Sequence, residues 1–247
     1  MKIDYSKASF KDFENITGLD IQERSDEFND YLNYLDDRGH LNYRIENLTG
    51  CGPALKLSSS WLPKDREFVN FVSNDYLGFT QHPKVKAAGI AAVQNYGTGA
   101  GASPAIGGHF CYHQHLEQQV AGFFKREAAI LYATGYTANS ATLQCLLKKE
   151  DMAIVDMAVH ASVYEGCLNT NMKSFIHNNL DHLEEILKKA QHSYRTKMVI
   201  IDGVYSQDGD LASLSEIVNL SHQYGAYVLV DDAHGIGVRG KTGRGLI

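Results

Sequence analysis

Alternation between apolar runs and helical segments is the feature that most constrains the fold of this chain. From residue 128 onward, short apolar runs typical of buried strands alternate with segments whose apolar residues recur at helical spacing. The predicted strands are 128–134, 152–157, 174–178, 197–206 and 226–232, and the predicted helices are 136–150, a short one after His160, 180–191 and 213–225. Such alternation predicts an α/β fold, a mostly parallel sheet with helices on both faces.

The first part of the chain has a different pattern. "IQERSDEFNDYLNYLDDRG" has one apolar helical face and a stop at Gly39, and an irregular stretch follows it to about Asp65. We therefore predict a helical segment over residues 1–66 and the α/β domain over 67–247. Before the alternating region we expect a strand at 68–73 and helices at 83–97 and 112–127.

One predicted helix carries an explicit start signal. Ser213 and Glu216 have the spacing of a capping box, and Gly225 follows the last helical residue. We expect the helix to begin at that box.

Composition narrows the class of protein. The net charge of −6, with Lys and Arg scattered, gives no reason to expect nucleic acid as a partner. No apolar run approaches the roughly 20 residues of a membrane span, and the N-terminus does not resemble a signal peptide. Four cysteines without a CxxC pair and eleven histidines without a zinc pattern predict a cytoplasmic protein with reduced thiols and no metal site.

Polar, glycine-containing clusters lie at the predicted element boundaries. They are "SNDYLG" (73–78), "YGTGAGASPAIGGH" (96–109), "ATGYTAN" (133–139), "VHAS" (159–162) and "VLVDDAHGIGVRG" (228–240). Open α/β sheets bind ligands at the carboxyl ends of their strands, and the helix start after Thr134 offers backbone amides to an anion. Taken singly, each cluster has a structural alternative, since His160 could cap a helix, Asn74 could hold a turn and Tyr136 could be a core aromatic.

Taken in order, these stretches resemble the motifs of one family. The motifs are "NFVSNDYLGF", "YGTGAGAS", "GGHFCYHQHLE", "TGYTAN", "HAS", "DGVYSQDGD" and "VDDAHGIGVRGKTGRG", running from about Asn70 to Gly245. They resemble those of the α-oxoamine synthases, which are pyridoxal 5'-phosphate (PLP) enzymes with the aspartate-aminotransferase fold. The resemblance implies that residues 67–247 form the PLP-binding large domain of that fold.

The resemblance also implies a role for each polar cluster. Asp231 would keep the pyridine nitrogen of PLP protonated, and His160 would lie flat on the ring; with His234 these are the implied catalytic residues. The other implied contacts are His234 and Ser206 with the 3'-oxygen of the ring, Thr134, Gly135 and Tyr136 with the phosphate, and Asn74 near the substrate. Asp232 is expected to be a neighbour only, because consecutive side chains of a strand point to opposite faces.

Two features depart from the family pattern. Ala102, Ser103 and Pro104 stand where many relatives have Gly-Ser-Arg, which bears on the substrate. The family's Schiff-base lysine belongs to a Ser/Thr-Lys motif well beyond the Asp231–His234 motif, and Lys241 is not that lysine. We therefore expect a partial copy of a longer enzyme, without the C-terminal small domain and inactive by itself.

The implied reaction condenses an amino acid with an acyl-CoA, with loss of carbon dioxide, in a homodimer. Within the family the motifs look most similar to those of the 8-amino-7-oxononanoate synthases of biotin synthesis. A specificity like that of the serine palmitoyltransferases or of the 2-amino-3-ketobutyrate CoA ligases stays open. So does a non-catalytic fragment or pseudoenzyme subunit that binds an active partner.

Overall fold

The computed structural model describes residues 3–64 and 66–247, so Asp65, beside the predicted domain boundary, lies outside the described residues. The chain divides into two compact units, Met1–Ala91 and Ala92–Ile247. This division falls inside a helix and not at residue 66, and the predicted boundary between 66 and 67 stays a prediction.

The first unit begins with a helix packed by aromatic rings. Helix α1 spans Ile21–Asp36 and starts at a capping box, in which the N–H of Glu23 donates to Asp20 and the N–H of Asp20 donates to Glu23, at 2.9 and 2.8 Å. A short 3-10 helix, Phe10–Phe13, precedes it. The rings of Phe13 and Tyr31 stack with their centroids 4.6 Å apart. The predicted helix is confirmed, and aromatic contacts hold the preceding segment against it.

A small antiparallel sheet completes the first unit. Its strands are β1 (Glu46–Asn47), β2 (Ala54–Ser58) and β3 (Glu67–Val69), in the order β1-β2-β3. A 3-10 helix, Phe79–Gln81, leads into α2 (Pro83–Tyr96), which crosses from the first unit into the second. The strand predicted at 68–73 is thus wrong beyond Val69, where the chain leaves the sheet.

The second unit is built on a parallel sheet. Its strands are β4 (Met152–Asp156), β5 (Asn171–Phe175), β6 (Lys197–Asp202) and β7 (Tyr227–Asp231), in the order β5-β4-β6-β7. Every residue of β4 and β6, the two central strands, is buried. This burial is why both strands appear as nearly continuous apolar runs in the sequence. The predicted α/β class and parallel sheet are confirmed.

The helices of this unit follow the predicted order. They are α3 (Cys111–Phe124), α4 (Gly135–Leu146), α5 (Ala161–Gly166), α6 (Leu180–Ala190) and α7 (Leu214–Gln223). Helix α6 buries Leu183 and Leu187 completely, and α7 does the same with Ile217. None of the helices in the described part of the chain has the length and apolar character needed to cross a membrane.

In the second unit two predicted strands are wrong, and one predicted capping bond is absent. Residues 128–134 form no strand within the described ranges; the N–H of Leu131 instead donates to the side chain of Glu117 at 3.0 Å. The strand predicted at 174–178 lies earlier, at Asn171–Phe175. Helix α7 begins directly after Ser213, as predicted, but Ser213 makes no side-chain capping bond, and its backbone N–H donates to Asn178 in place of Glu216. Both partners, Glu117 and Asn178, are distant in sequence from the groups they bind.

An ion pair joins the starts of the two central strands. Asp151 precedes β4, and its buried carboxylate receives two hydrogen bonds from the guanidinium of Arg195, one of them 2.9 Å from Nε to Oδ1. Hydrogen bonds from Arg195 lower the pKa of Asp151 to about 2. The pair therefore stabilises the fold above the ordinary carboxyl pKa near 4, and its contribution is lost as the pH falls toward 2.

We expect Arg195→Gln to lower the melting temperature by about 3–6 °C at pH 7 and by much less near pH 2, since protonated Asp151 no longer attracts the guanidinium. Thermal unfolding across this pH range measures the difference. Arg126→Gln, at an exposed position, is the matched control. An equal loss at both pH values would contradict the ion-pair account.

Candidate active site

The polar clusters of the second unit lie where three strands end and two helices begin. Strands β4, β6 and β7 end at Asp156, Asp202 and Asp231, and Thr134 and His160 immediately precede helices α4 and α5. Parallel pairing brings the carboxyl ends of the strands to one edge of the sheet.

The start of α4 is a candidate anion site. Thr134 has an extended backbone and caps the helix, and its Oγ1 accepts the N–H of Thr137 at 3.0 Å. The first N–H groups of an α-helix have no acceptor within the helix, so those of Gly135 and Tyr136 can donate to a bound anion. All three predicted phosphate-binding residues are exposed at this helix start.

His160 lies beside that helix start. Its ring meets the ring of Tyr136 edge to face, with centroids 5.8 Å apart. Its Nδ1 lies 2.7 Å from the hydroxyl of Ser162 and also accepts the N–H of Ser162 at 3.3 Å. The histidine thus caps α5, the structural role considered from the sequence, while its ring is exposed next to the anion site.

The carboxylate of Asp231 is held from two sides. Its Oδ2 accepts the side-chain amide of Asn139 at 2.6 Å, and its Oδ1 accepts the N–H of Ala233 at 3.0 Å. The same amide nitrogen of Asn139 donates to Ser162 at 3.0 Å. Asp231, Asn139, Ser162 and His160 therefore form one hydrogen-bonded network.

Asp202 is paired in register with Asp231 on the neighbouring strand. Burial, followed by the charge of Asp231, raises the pKa of Asp202 to about 7. The backbone N–H of His160 acts in the opposite direction and lowers the pKa of the same carboxyl. Burial beside a second carboxylate thus favours the neutral form of Asp202 far more than that of a carboxyl in water, whereas Asp231 is less buried.

Asp232 lies in a different environment from Asp231. It is buried, its Oδ2 accepts the N–H of Leu246 at 2.8 Å, and burial raises its pKa. Glycines surround this carboxyl: a Cβ on Gly203, Gly235 or Gly245 would lie 2.4 Å or less from one of its oxygens. Only glycine at these positions leaves room for it.

The remaining predicted residues lie in loops. Half-buried His234 follows β7 by three residues, and exposed Ser206 lies in the turn after β6. Asn74 belongs to the first unit, where its Oδ1 accepts the hydroxyl of Tyr76 at 3.4 Å.

Sequence reasoning missed several residues of this edge. Asn139 and Ser162 lie in the motifs "TGYTAN" and "HAS", but no role was predicted for either. Asp202 lies inside the predicted strand 197–206. A signal existed for Asn139, which is four residues, or about one helical turn, after Gly135 and so lies on the same face of α4. No comparable signal pointed to Asp202.

A second polar cluster, also missed, lies beyond β4 and β5. His177 is within 2.8 Å of Asp156 through Nδ1 and within 2.7 Å of Asp210 through Nε2. Burial alone would lower the pKa of His177, but the two carboxylates outweigh it, and the pKa is raised. Both ring nitrogens of His177 thus lie against carboxylates, an arrangement that favours its protonated form, whose charge compensates buried Asp156.

Comparison with known proteins shows the family. A profile described as aminotransferase class I and II matches residues 66–245. The chain belongs to this family. It is 40% identical over 225 residues to the 8-amino-7-oxononanoate synthase of Alkaliphilus metalliredigens, covering 87% of this chain and 57% of that protein. With 8-amino-7-oxononanoate synthase 1 of Bacillus subtilis the identity is 43% over 184 residues, covering 74% of this chain and 47% of the relative.

A solved relative agrees in fold. A variant of the serine palmitoyltransferase from S. paucimobilis, determined with a bound PLP–myriocin aldimine, superposes with a TM-score of 0.83 at 31% identity, covering 92% of this chain and 56% of that one. These matches confirm the resemblance to the α-oxoamine synthases. The chain spans about half the length of the family members it matches.

The close approach of Gly203, Gly235 and Gly245 to Asp232 leads to a prediction about stability. We expect Gly235→Ala to destabilise the protein by about 1–3 kcal/mol, because the new Cβ would lie 2.0 Å from Oδ1 of buried Asp232. Gly122 lies in α3, where a new Cβ would meet no atom within 4 Å beyond its own helix backbone. Gly122→Ala should therefore stabilise the protein by about 0.5–1 kcal/mol. Denaturant unfolding of both variants tests this, and a harmless Gly235→Ala would contradict the packing account.

Proposed function

We propose that this chain binds PLP and that its protein is a PLP-dependent acyltransferase, which condenses an amino acid with an acyl-CoA and releases carbon dioxide. The observation that carries the proposal is the placement of Asp231. Its carboxylate is oriented by Asn139 and the N–H of Ala233, and its remaining lone pairs can accept a protonated pyridine nitrogen.

The neighbouring groups suit the rest of the cofactor. The start of α4, at Thr134, Gly135 and Tyr136, would hold the phosphate. The exposed ring of His160, beside Tyr136, would cover one face of the pyridine ring. Ser206 and His234 would donate to the 3'-oxygen, and Asn74 would lie toward the substrate.

When bound, PLP supplies an electron sink for the α-carbon of the amino acid. The residues of this chain would orient the ring and keep its nitrogen protonated through Asp231. His160 would exclude water from one face and restrict the ring's tilt. These contributions are positioning and electrostatic stabilisation, the terms that mutation of one group can test.

Among substrates, we propose alanine and a pimeloyl thioester, the pair used by the 8-amino-7-oxononanoate synthases. The support is the 40% identity to proteins of that name. Serine with a palmitoyl thioester is the second candidate, supported by the structural similarity to serine palmitoyltransferase. A non-catalytic subunit is the third, and PLP binding without turnover would favour it.

We expect Asp231→Asn to weaken PLP binding to this chain about tenfold, because an amide cannot balance the charge of the pyridinium. In protein made from the complete reading frame it should lower kcat about a hundredfold or more. Equilibrium dialysis and turnover with alanine, glycine and serine are the measurements. Asp181→Asn, exposed on α6, is the control.

The variant Asp232→Asn distinguishes the role of Asp232 from that of the adjacent Asp231. It should lower the melting temperature while changing PLP affinity less than Asp231→Asn does, since its carboxyl lies among glycines. If the folded Asp232 variant loses more affinity, the assignment of Asp231 is wrong.

We further propose that the protein is a cytoplasmic homodimer. The first unit exposes a run of large apolar side chains after β3: Phe71 and Val72 are each 91% exposed, and Leu77 and Phe79 are more than half exposed. Such contiguous apolar exposure is typical of an interface. Exposed Cys111 and Cys145 are free thiols, which suit a reducing compartment.

We expect Phe71→Asp to weaken self-association at least tenfold, because a charge would be buried at the interface. Sedimentation at micromolar concentration measures the mass. Lys84→Asp, an exposed polar position nearby, is the control. A monomeric native protein would overturn the dimer proposal without affecting the cofactor site.

A further inference from the structure

Asn139 connects the two residues that the proposed function places against the cofactor ring. It lies one turn into α4, yet its amide contacts Asp231, which is 92 positions later in the chain. We propose that Asn139 is a positioning residue, which orients the carboxylate of Asp231 and, through the hydroxyl of Ser162, strengthens the preference of His160 for one tautomer. The inference rests on the proposed PLP site for its purpose, but its geometry is independent of the cofactor.

The direction of each hydrogen bond follows from the donors available. The amide nitrogen of Asn139 carries two protons, one directed to Oδ2 of Asp231 at 2.6 Å and one to Oγ of Ser162 at 3.0 Å. Because Oγ of Ser162 accepts from Asn139, its own proton is free to go to Nδ1 of His160, 2.7 Å away. The N–H of Ser162 also donates to Nδ1, so that this nitrogen is an acceptor.

This direction determines the state of His160. With Nδ1 occupied by two donors, the neutral imidazole carries its proton on Nε2. One amide group thus orients the carboxylate that would face the pyridine nitrogen and, together with the N–H of Ser162, favours the Nε2-protonated tautomer of the ring that would cover the pyridine.

The side chain of asparagine fits this position for a chemical reason. The network needs two protons from one atom, delivered to two acceptors. Aspartate is nearly the same size but donates neither proton when ionised, and it would add a carboxylate beside Asp231 and Asp202. Serine or threonine would supply one proton only.

Exchanging the amide and the carboxylate between Asn139 and Asp231 tests their contact in the absence of cofactor. Asn139→Asp should lower the melting temperature of the cofactor-free chain by about 4–8 °C through like-charge repulsion and lost donors. The double variant Asn139→Asp/Asp231→Asn restores one amide facing one carboxylate, and it should recover at least half of that loss. Gln144→Glu, on the exposed face of α4, makes the same charge change and should have little effect.

Nitrogen NMR of His160 in the cofactor-free chain tests the proposed effect of Asn139 on the tautomer of His160. The native chain should show protonated Nε2 and unprotonated Nδ1 in its neutral form. Asn139→Ala and Ser162→Ala should both reduce this preference, because the hydroxyl is released to other acceptors in the first variant and removed in the second. Asn139→Ala also keeps the test open if Asn139→Asp does not fold.

The outcomes separate this inference from the proposed function. A double variant no more stable than the sum of its single changes, or a His160 tautomer unchanged by Asn139→Ala, overturns the positioning role. If both arms succeed, Asn139→Asp should also weaken PLP binding about tenfold, and the double variant should recover stability but not PLP affinity. A native chain that binds no PLP would overturn the proposed function while the two cofactor-free results still decide the role of Asn139.

Discussion

The carboxyl ends of β4, β6 and β7 place Asp156, Asp202 and Asp231 at one edge of the sheet, and the site is organised by how this negative charge is compensated. Like charges close together in a buried region cannot all stay ionised without partners. The negative charge of each of the three carboxylates is balanced or reduced in a different way. Asp156 receives His177, Asp202 has its pKa raised to about 7, and Asp231 receives amide donors.

These three kinds of charge compensation make the carboxylates chemically distinct. Asp156 is tied into a cluster with His177 and Asp210 and is fully buried. Asp202 is buried, and this burial is the main reason for its raised pKa. Asp231 is the more exposed of the in-register pair, and its hydrogen bonds from Asn139 and Ala233 use one lone pair of each carboxylate oxygen, so it is the carboxylate proposed to face the cofactor.

Local sequence signals succeeded where a local interaction decides the structure, and failed elsewhere. The apolar helical face ending at Gly39 predicted α1, which forms, whereas the predicted capping box of Ser213 and Glu216 lacks its side-chain bond and the N–H of Ser213 donates to Asn178. The apolar run at 128–134 has strand propensity, but a strand also needs a hydrogen-bonded neighbour, and Glu117 takes the N–H of Leu131.

The sequence by itself determined the α/β class, the buried central strands and the identity of the residues at the strand ends, because apolar periodicity and motif order are properties of short segments. It also predicted that Asp231 and Asp232 lie in different environments, since alternation along a strand is local. Only the tertiary structure decided which distant groups meet these residues. Asn139 of α4 faces Asp231, and Gly203 and Gly245 make room for Asp232, because the packing of a helix and of loops against the strand ends brings together positions that no spacing in the sequence relates.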